Sequence, residues 1–260
     1  MNLDLTGKHA LVCGSTQGIG KAAAMELASL GANVTLMARN EPRLKNAVAD
    51  LPGNGKHDYI VADFSDPENV KTAIADYLRK EKIIHILVNN TGGPPGGLIT
   101  EAKTEEFTTA FSNHLLCNHI LVQAVLPGMK SEKFGRIINV ISTSVKQPLK
   151  GLGVSNTIRA AVANWSKTLS MEIAQFGITV NNVLPGATAT QRLYGIIENK
   201  MLKPGMTREK AEQEMLDEIP AQRFGTPEEV ANAIAFLASP AAGYINGINV
   251  PVDGGRTGNL

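Results

Sequence analysis

Short runs of β-branched and apolar residues alternate along the chain with longer segments whose apolar positions recur every three or four residues. In the first 90 residues the runs HALVC (9–13), NVTLMA (33–38), YIVA (59–62) and IIHILVN (83–89) predict strands. Between them GKAAAMELASLG (20–31), EPRLKNAVADL (41–51) and DPENVKTAIADYLRK (66–80) predict helices, with Gly31 as a C-cap and Pro42 and Pro67 near helix starts. The alternation continues with a long helix over 104–129, the strand RIINVI (136–141), a helix over 158–174 and the strand TVNNVL (179–184). Ile158, Val162, Trp165, Leu169 and Ile173 give that second helix one packed face. After Pro185 the regularity breaks. The stretch 191–222 is charged, carries methionines and is interrupted by KPG (203–205), before a helix over 226–239 and a final strand and turn, INVPVDGG (248–255). Strands alternating with helices predict an α/β fold, a doubly wound parallel sheet in one domain over 1–260.

Composition narrows the partners. Lys and Arg total 25 against 24 Asp and Glu, which leaves no electrostatic footprint for nucleic acid or anionic lipid. No stretch approaches the length of apolar residues that spans a bilayer, and the N-terminus lacks the basic-then-apolar pattern of a secretory signal. Cys13 and Cys117 lie far apart and outside any metal-ligand spacing, so two buried thiols in a reducing cytoplasm and no metal are expected. A small molecule is the expected partner.

The run CGSTQGIG sets Gly14, Gly18 and Gly20 after the first predicted strand and at the mouth of a helix. Such a turn brings backbone close to a pyrophosphate and aims the positive end of the helix at it. The GxxxGxG spacing, together with VNNTGG (88–93), VADFSD (61–66), LPGATAT (184–190), RFGTPEEVANAIAFLAS and the closing VDGG, resembles the short-chain dehydrogenase/reductase family nearly from end to end. Cys13 and Thr91 depart from its usual threonine and alanine. The resemblance implies the three-layer Rossmann fold and a nicotinamide dinucleotide held by Gly14, Ser15, Gln17, Gly18, Ile19 and Gly20 at the turn. It further implies contacts from Asp63 and Phe64 to the adenine, from Asn90, Thr91 and Gly92 after the fourth strand, and from Pro185, Gly186, Thr188 and Thr190 to the nicotinamide end. At the end of the second strand no carboxylate stands to repel a 2′-phosphate, and Arg39 followed by Asn40 offers a guanidinium to pair with it. NADP(H) is therefore expected ahead of NAD(H).

Enzymes of this family reduce a carbonyl with a serine, a tyrosine, a lysine and an asparagine. The serine corresponds to Ser142, at the tip of the predicted strand 136–141. Family spacing then places Ser155 where the tyrosine should be and Arg159 where the lysine should be, and the ungapped segment that follows offers no shifted register. His114, beside Asn113, falls at the asparagine position. A serine hydroxyl is short and far less acidic than a phenol, which titrates near 10. Arg159 still brings fixed charge for the ribose hydroxyls or a developing alkoxide. An imidazole titrates near 6.5, so His114 is a candidate general acid at neutral pH, on a face expected to include Phe111 and Asn118, with simple packing as the competing role. Tyr194, Lys146 and Lys150 are weaker candidates for which a surface role is expected, and Pro94 and Pro95 stiffen the loop TGGPPGG (91–97).

That loop, with the Ser-Asn-x-x-Arg segment, is similar to a divergent branch of the family labelled as 3-oxoacyl-carrier-protein reductases. The expectation is an NADP(H)-dependent reductase of a 3-oxoacyl-like or other small ketone with Ser142, His114, Ser155 and Arg159 at its centre. Binding of the cofactor without hydride transfer, as a sensor or partner subunit, and non-redox chemistry on the same fold stay open. The resemblance also implies a homo-oligomer, tetramer or dimer, and a substrate lid over 191–222.

Overall fold

A computed structural model describes residues 1–80, 83–202 and 204–259, so Lys203 of the KPG interruption and the last residue of the expected domain lie outside the described residues. Among the described residues seven parallel strands form one sheet: β1 (His9–Cys13), β2 (Asn33–Ala38), β3 (Asp58–Val61), β4 (Ile86–Asn89), β5 (Gly135–Val140), β6 (Ile178–Pro185) and β7 (Asn249–Val252). Their order is β3-β2-β1-β4-β5-β6-β7. The direction of winding reverses between β1 and β4, and in such sheets ligands sit in the crevice outside the carboxyl ends of the strands at that reversal.

The α-helices that accompany these strands are α1 (Gly18–Ser29), α2 (Glu41–Ala49), α3 (Pro67–Leu78), α4 (Thr104–Phe111), α5 (Cys117–Ser131), α6 (Gly153–Ile173), α7 (Gln191–Met201), α8 (Arg208–Leu216) and α9 (Pro227–Ala238). Because helices cover both faces of the sheet, its strands are mostly apolar on both sides rather than alternating. On one face Leu27 of α1, Leu44 of α2 and Ile234 of α9 pack on Val12, Leu36 and Val88. On the other, Ile74 of α3, Leu121 and Val125 of α5 and Ile173 of α6 pack on Leu11, Leu87 and Ile137. The expected fold is the observed one.

Boundaries differ where local chemistry intervenes. Helix α1 ends at Ser29 and Gly31 takes φ +95°, a left-handed position after the helix where an added Cβ would also lie 2.7 Å from Thr6 Oγ1. Asp66 caps α3 by accepting from the backbone N–H groups of Glu68 and Asn69. Helix α6 starts five residues earlier than expected and takes Ser155 into its first turn. The expected single helix 104–129 is broken by a π-helical turn, Ser112–Leu116, between α4 and α5. An extra residue in one turn rotates everything before it relative to everything after it, and such turns concentrate at functional sites.

Across the sheet, four asparagines occupy paired positions, Asn89 with Asn139, Asn139 with Asn182, and Asn182 with Asn249. Asn89 Nδ2 donates to Asn139 Oδ1 at 2.8 Å, Asn139 Nδ2 to Asn182 Oδ1 at 3.0 Å, and Asn182 Nδ2 to Asn249 Oδ1 at 2.8 Å. Asn139 also reaches Ser166 Oγ of α6. The first three are buried, so this amide ladder lies inside an otherwise apolar sheet.

Candidate active site

The glycine-rich turn after β1 needs glycine at each predicted position. Gly14 has φ +59° and a Cβ there would lie 2.3 Å from the Asn90 carbonyl oxygen. A Cβ on Gly20 would lie 2.3 Å from the Gly14 carbonyl, and Gly18, at φ +54°, would press on Thr190 Cγ2 at 3.3 Å. Gln17 is the N-cap of α1 but its side chain makes no capping bond, so the positive end of that helix has no side-chain acceptor from its cap. Ser15 Oγ is buried without a hydrogen-bond partner among the described residues, and Ile19 packs against the core. An open helix end behind a backbone cradle fits the pyrophosphate of a dinucleotide. Asn90 plays a structural part, because its amide donates to the carbonyls of Cys13 and Gly14, both at 3.2 Å, and braces the turn. The contact between Gly18 and Thr190 brings the segment after β6 to the same turn. There Thr188 donates to the Gly186 carbonyl and Thr190 to the Thr188 carbonyl. Gly186, after Pro185, admits the Asp253 backbone, which a Cβ would meet at 2.8 Å.

At the end of β2, Arg39 is exposed and attracts the Asp63 carboxylate, itself held below the usual range mainly by hydrogen bonds from Ser65. Asn40 is exposed, and its Oδ1 accepts from the Arg43 N–H as the N-cap of α2, which leaves only its amide NH₂ for a ligand. The Phe64 carbonyl accepts from Cys117 Sγ at 3.4 Å. In the amide orientation that satisfies both its ends, Asn113 donates to that same carbonyl at 2.8 Å. Gly92 has open space around it.

The π turn places His114 in the interior, 1% exposed, where its Nδ1 lies 2.6 Å from Thr91 Oγ1. Burial, and secondarily the nearby Arg159 cation, push its pKa down to about 2. The expected titration near 6.5 is thereby corrected: burial favours the neutral ring. The expected face is corrected too. Asn118 is buried like His114, but Phe111 is 40% exposed, because the extra residue of the π turn rotates it away.

Arg159 is 7% exposed, and its Nη1 donates to the Val140 carbonyl at 3.2 Å, at the carboxyl end of β5. Burial lowers its pKa to about 10, with a further contribution from Arg192. Two residues beyond Val140, Ser142 is half-buried and its Oγ accepts from the Ser144 N–H at 3.1 Å. Ser155 is buried in the first turn of α6. Thus β4, β5, α6 and the π turn bring Thr91, His114, Arg159 and Ser142 to one edge of the sheet.

Arg192, which the sequence pattern does not single out, lies at the same place. Its Nη2 donates to the Pro94 carbonyl at 2.5 Å, and a Cβ on Gly93 would lie 3.6 Å from Arg192 Nη2 and 3.8 Å from Arg159 Nη2. A signal was present in the sequence, since a cation in the first turn of a helix opposes the helix dipole. Tyr194 instead packs under the Arg208 guanidinium, 6.0 Å from the ring centroid, and Lys150 is exposed. The Lys146 carbonyl accepts from Asn259. Cys13 and Cys117 are both buried and free, with thiol pKa values raised by burial. Among the described residues no cluster could hold a metal ion and no helix is long and apolar enough to cross a membrane.

Residues 14–257 match the family described as enoyl-(acyl carrier protein) reductase. The chain is 37% identical over 251 residues to the 3-oxoacyl-(acyl-carrier-protein) reductase FabG of Haemophilus influenzae, covering 96% of this chain and 98% of that protein. It is 30% identical over 254 residues to the NADPH-dependent reductase BacG of Bacillus subtilis, again covering 96% and 98%. Among solved structures, the L-sorbose reductase from Gluconobacter frateurii complexed with NADPH and L-sorbose matches with a TM-score of 0.93 at 32% identity, over 100% of both chains.

Proposed function

This chain belongs to the short-chain dehydrogenase/reductase family, and from that premise we propose that it reduces a carbonyl compound to an alcohol with NADPH. The observation that carries the proposal is the uncapped glycine turn of α1 standing at the same sheet edge as the Thr91–His114 pair and Arg159. Arg39, with no carboxylate beside it in sequence at the end of β2, favours the 2′-phosphate.

NADPH, when bound, supplies the hydride that adds to the carbonyl carbon. The chain's residues handle the oxygen and the proton. Ser142 Oγ–H donates to the carbonyl oxygen, and Arg159 stabilises the negative charge that grows there. The proton follows a relay. Thr91, a half-buried residue, passes its hydroxyl proton to His114 Nδ1 and recovers one from water. His114 in turn gives its Nε2 proton to the alkoxide. The ring is neutral before and after, as its lowered pKa requires. Ser155, too short and too weak an acid to replace a phenol, lines the site without donating. The helices α7 and α8, within 191–222, form the substrate lid.

A second reading, cofactor binding without hydride transfer, is favoured by the neutral state of His114 and by the burial of Ser155. Single-turnover oxidation of NADPH deuterated at the transferable position, over a panel of ketones, separates the two. Deuterium found in an alcohol product supports the reductase, with His114→Ala and Arg159→Ala each slowing the step. Absence of transfer with every ketone would support the second reading.

A further inference from the structure

From the pairing of Arg159 with Arg192 we infer that the substrate carries a carboxylate next to the carbonyl that is reduced, as in a 2-oxo acid. The inference rests on the reductase reading and gives it a substrate class.

Two guanidiniums converge at Gly93. Arg159 and Arg192 each bring an Nη2 within 3.8 Å of the one point that a Gly93 Cβ would occupy. Arg192 also lies in the first turn of α7, where there is no acidic residue and the Thr190 N-cap makes no capping bond with its side chain. The helix dipole there favours an anion and opposes a guanidinium.

Nothing among the described residues neutralises this charge. Arg159 has one hydrogen bond, to the Val140 carbonyl, and Arg192 has one, to the Pro94 carbonyl, and neither pairs with a carboxylate among the described residues. Glu105 and Glu106, which border the adjoining cavity of about 310 Å³, turn instead to Thr104 Oγ1 and the Lys103 N–H. A buried cation without a counter-charge destabilises a fold, and a second cation beside it adds repulsion. A bound oxyanion relieves both. Two guanidiniums offer planar forks that match a carboxylate.

Position selects the substrate as the source of that anion. Arg159 is close enough to His114 to depress its pKa, and its anchor, Val140, is two residues from Ser142. A carboxylate held here leaves the adjacent carbonyl facing the cavity that Gly93 and His114 both line, whereas the cofactor phosphates have the α1 turn and Arg39. The reaction balances as a 2-oxo acid, NADPH and one proton giving a 2-hydroxy acid and NADP⁺, with the hydride going to carbon and the relayed proton to oxygen.

Calorimetric titration of the NADP⁺-loaded protein with oxalate, a non-reducible dicarboxylate, and with its neutral counterpart oxamide tests the anion site without turnover. Oxalate is expected to bind and oxamide not, with binding weakened about 10- to 100-fold in Arg192→Gln and partly retained in Arg192→Lys. Arg159→Lys serves as the second variant, read only if its thermal unfolding matches wild type. The kinetic arm compares pyruvate with acetone, which differ by the carboxylate. Oxalate binding lost in Arg192→Gln supports the site even if neither ketone is reduced, in which case the reductase reading alone fails. Equal binding of oxalate and oxamide, an unchanged oxalate affinity in Arg192→Gln, or displacement of oxalate by NADPH with weaker NADPH binding in that variant would overturn it.

Discussion

His114 Nδ1 and Thr91 Oγ1 lie 2.6 Å apart across the junction of the loop after β4 and the π turn, and this bond engages one ring nitrogen and leaves Nε2 for another partner. With Thr91 as the donor, Nε2 carries the ring proton. Thr91→Val keeps the side-chain shape and removes the hydroxyl, so kcat/KM for a reducible carbonyl should fall about 100-fold, whereas Thr91→Ser should retain most activity. Steady-state rates decide this, and an unchanged rate in Thr91→Val would exclude the relay.

The neutral His114 also makes stability depend on pH. Its folded pKa, about 2, lies below the unfolded value near 6.5, so between these values the unfolded chain binds a proton that the folded chain does not. Stability is therefore fully present above pH ~6.5 and is lost as pH falls, by about 1.4 kcal/mol per unit from this group. Urea midpoints measured from pH 7.5 to 5 should fall accordingly, and His114→Asn should flatten the dependence.

Gly20→Ala forces a Cβ to within 2.3 Å of the Gly14 carbonyl, a backbone atom that has no room to yield. Destabilisation of about 1–3 kcal/mol and at least a ~10-fold loss of NADPH affinity are expected. Gly195→Ala, in α7 with nothing within 4 Å, is the control, and should be neutral or stabilising by up to ~1 kcal/mol. Thermal unfolding with and without NADPH reads both.

Arg39→Glu replaces a cation by a group that repels a 2′-phosphate and beside which Asp63 already sits. NADPH affinity should drop about 100-fold while NADH affinity holds or improves, as followed by fluorescence titration. Equal losses for both cofactors would show that Arg39 does not read the phosphate.

The sheet was legible because each strand is a short, predominantly β-branched or apolar run and most of the intervening segments keep a helical period. Strands β1 and β2 and the first glycine turn match their predicted bounds for that reason. What escaped was set by contacts between distant segments. Nothing local in SNHLL announces a π turn, so the expected face joined His114 to Phe111. Asn90, which the family motif offers to the cofactor, braces the backbone of Gly14 from 76 residues away. Arg192 escaped because it lies in the irregular stretch after Pro185, where no periodicity guides placement, although its position at a helix start was a cue. Burial of His114 could not be read from its neighbours, Ser112 and Asn113 before it and Leu115 and Leu116 after it, and with it went the sign of its pKa shift.

The amide ladder from Asn89 to Asn249 has a consequence for how the site is assembled. A one-residue slip of β4 against β5 would carry each side chain to the opposite face of the sheet and strand several buried amides at once. The asparagines therefore act as an alignment key, admitting one phase between neighbouring strands where an all-valine interior would tolerate several. Asn90 and Thr91 leave β4 right after Asn89, Ser142 follows Asn139 by three residues, and Thr188 and Thr190 follow Asn182 on β6. Three segments far apart in the chain thus arrive at the candidate site in step, so their mutual alignment is decided inside the sheet.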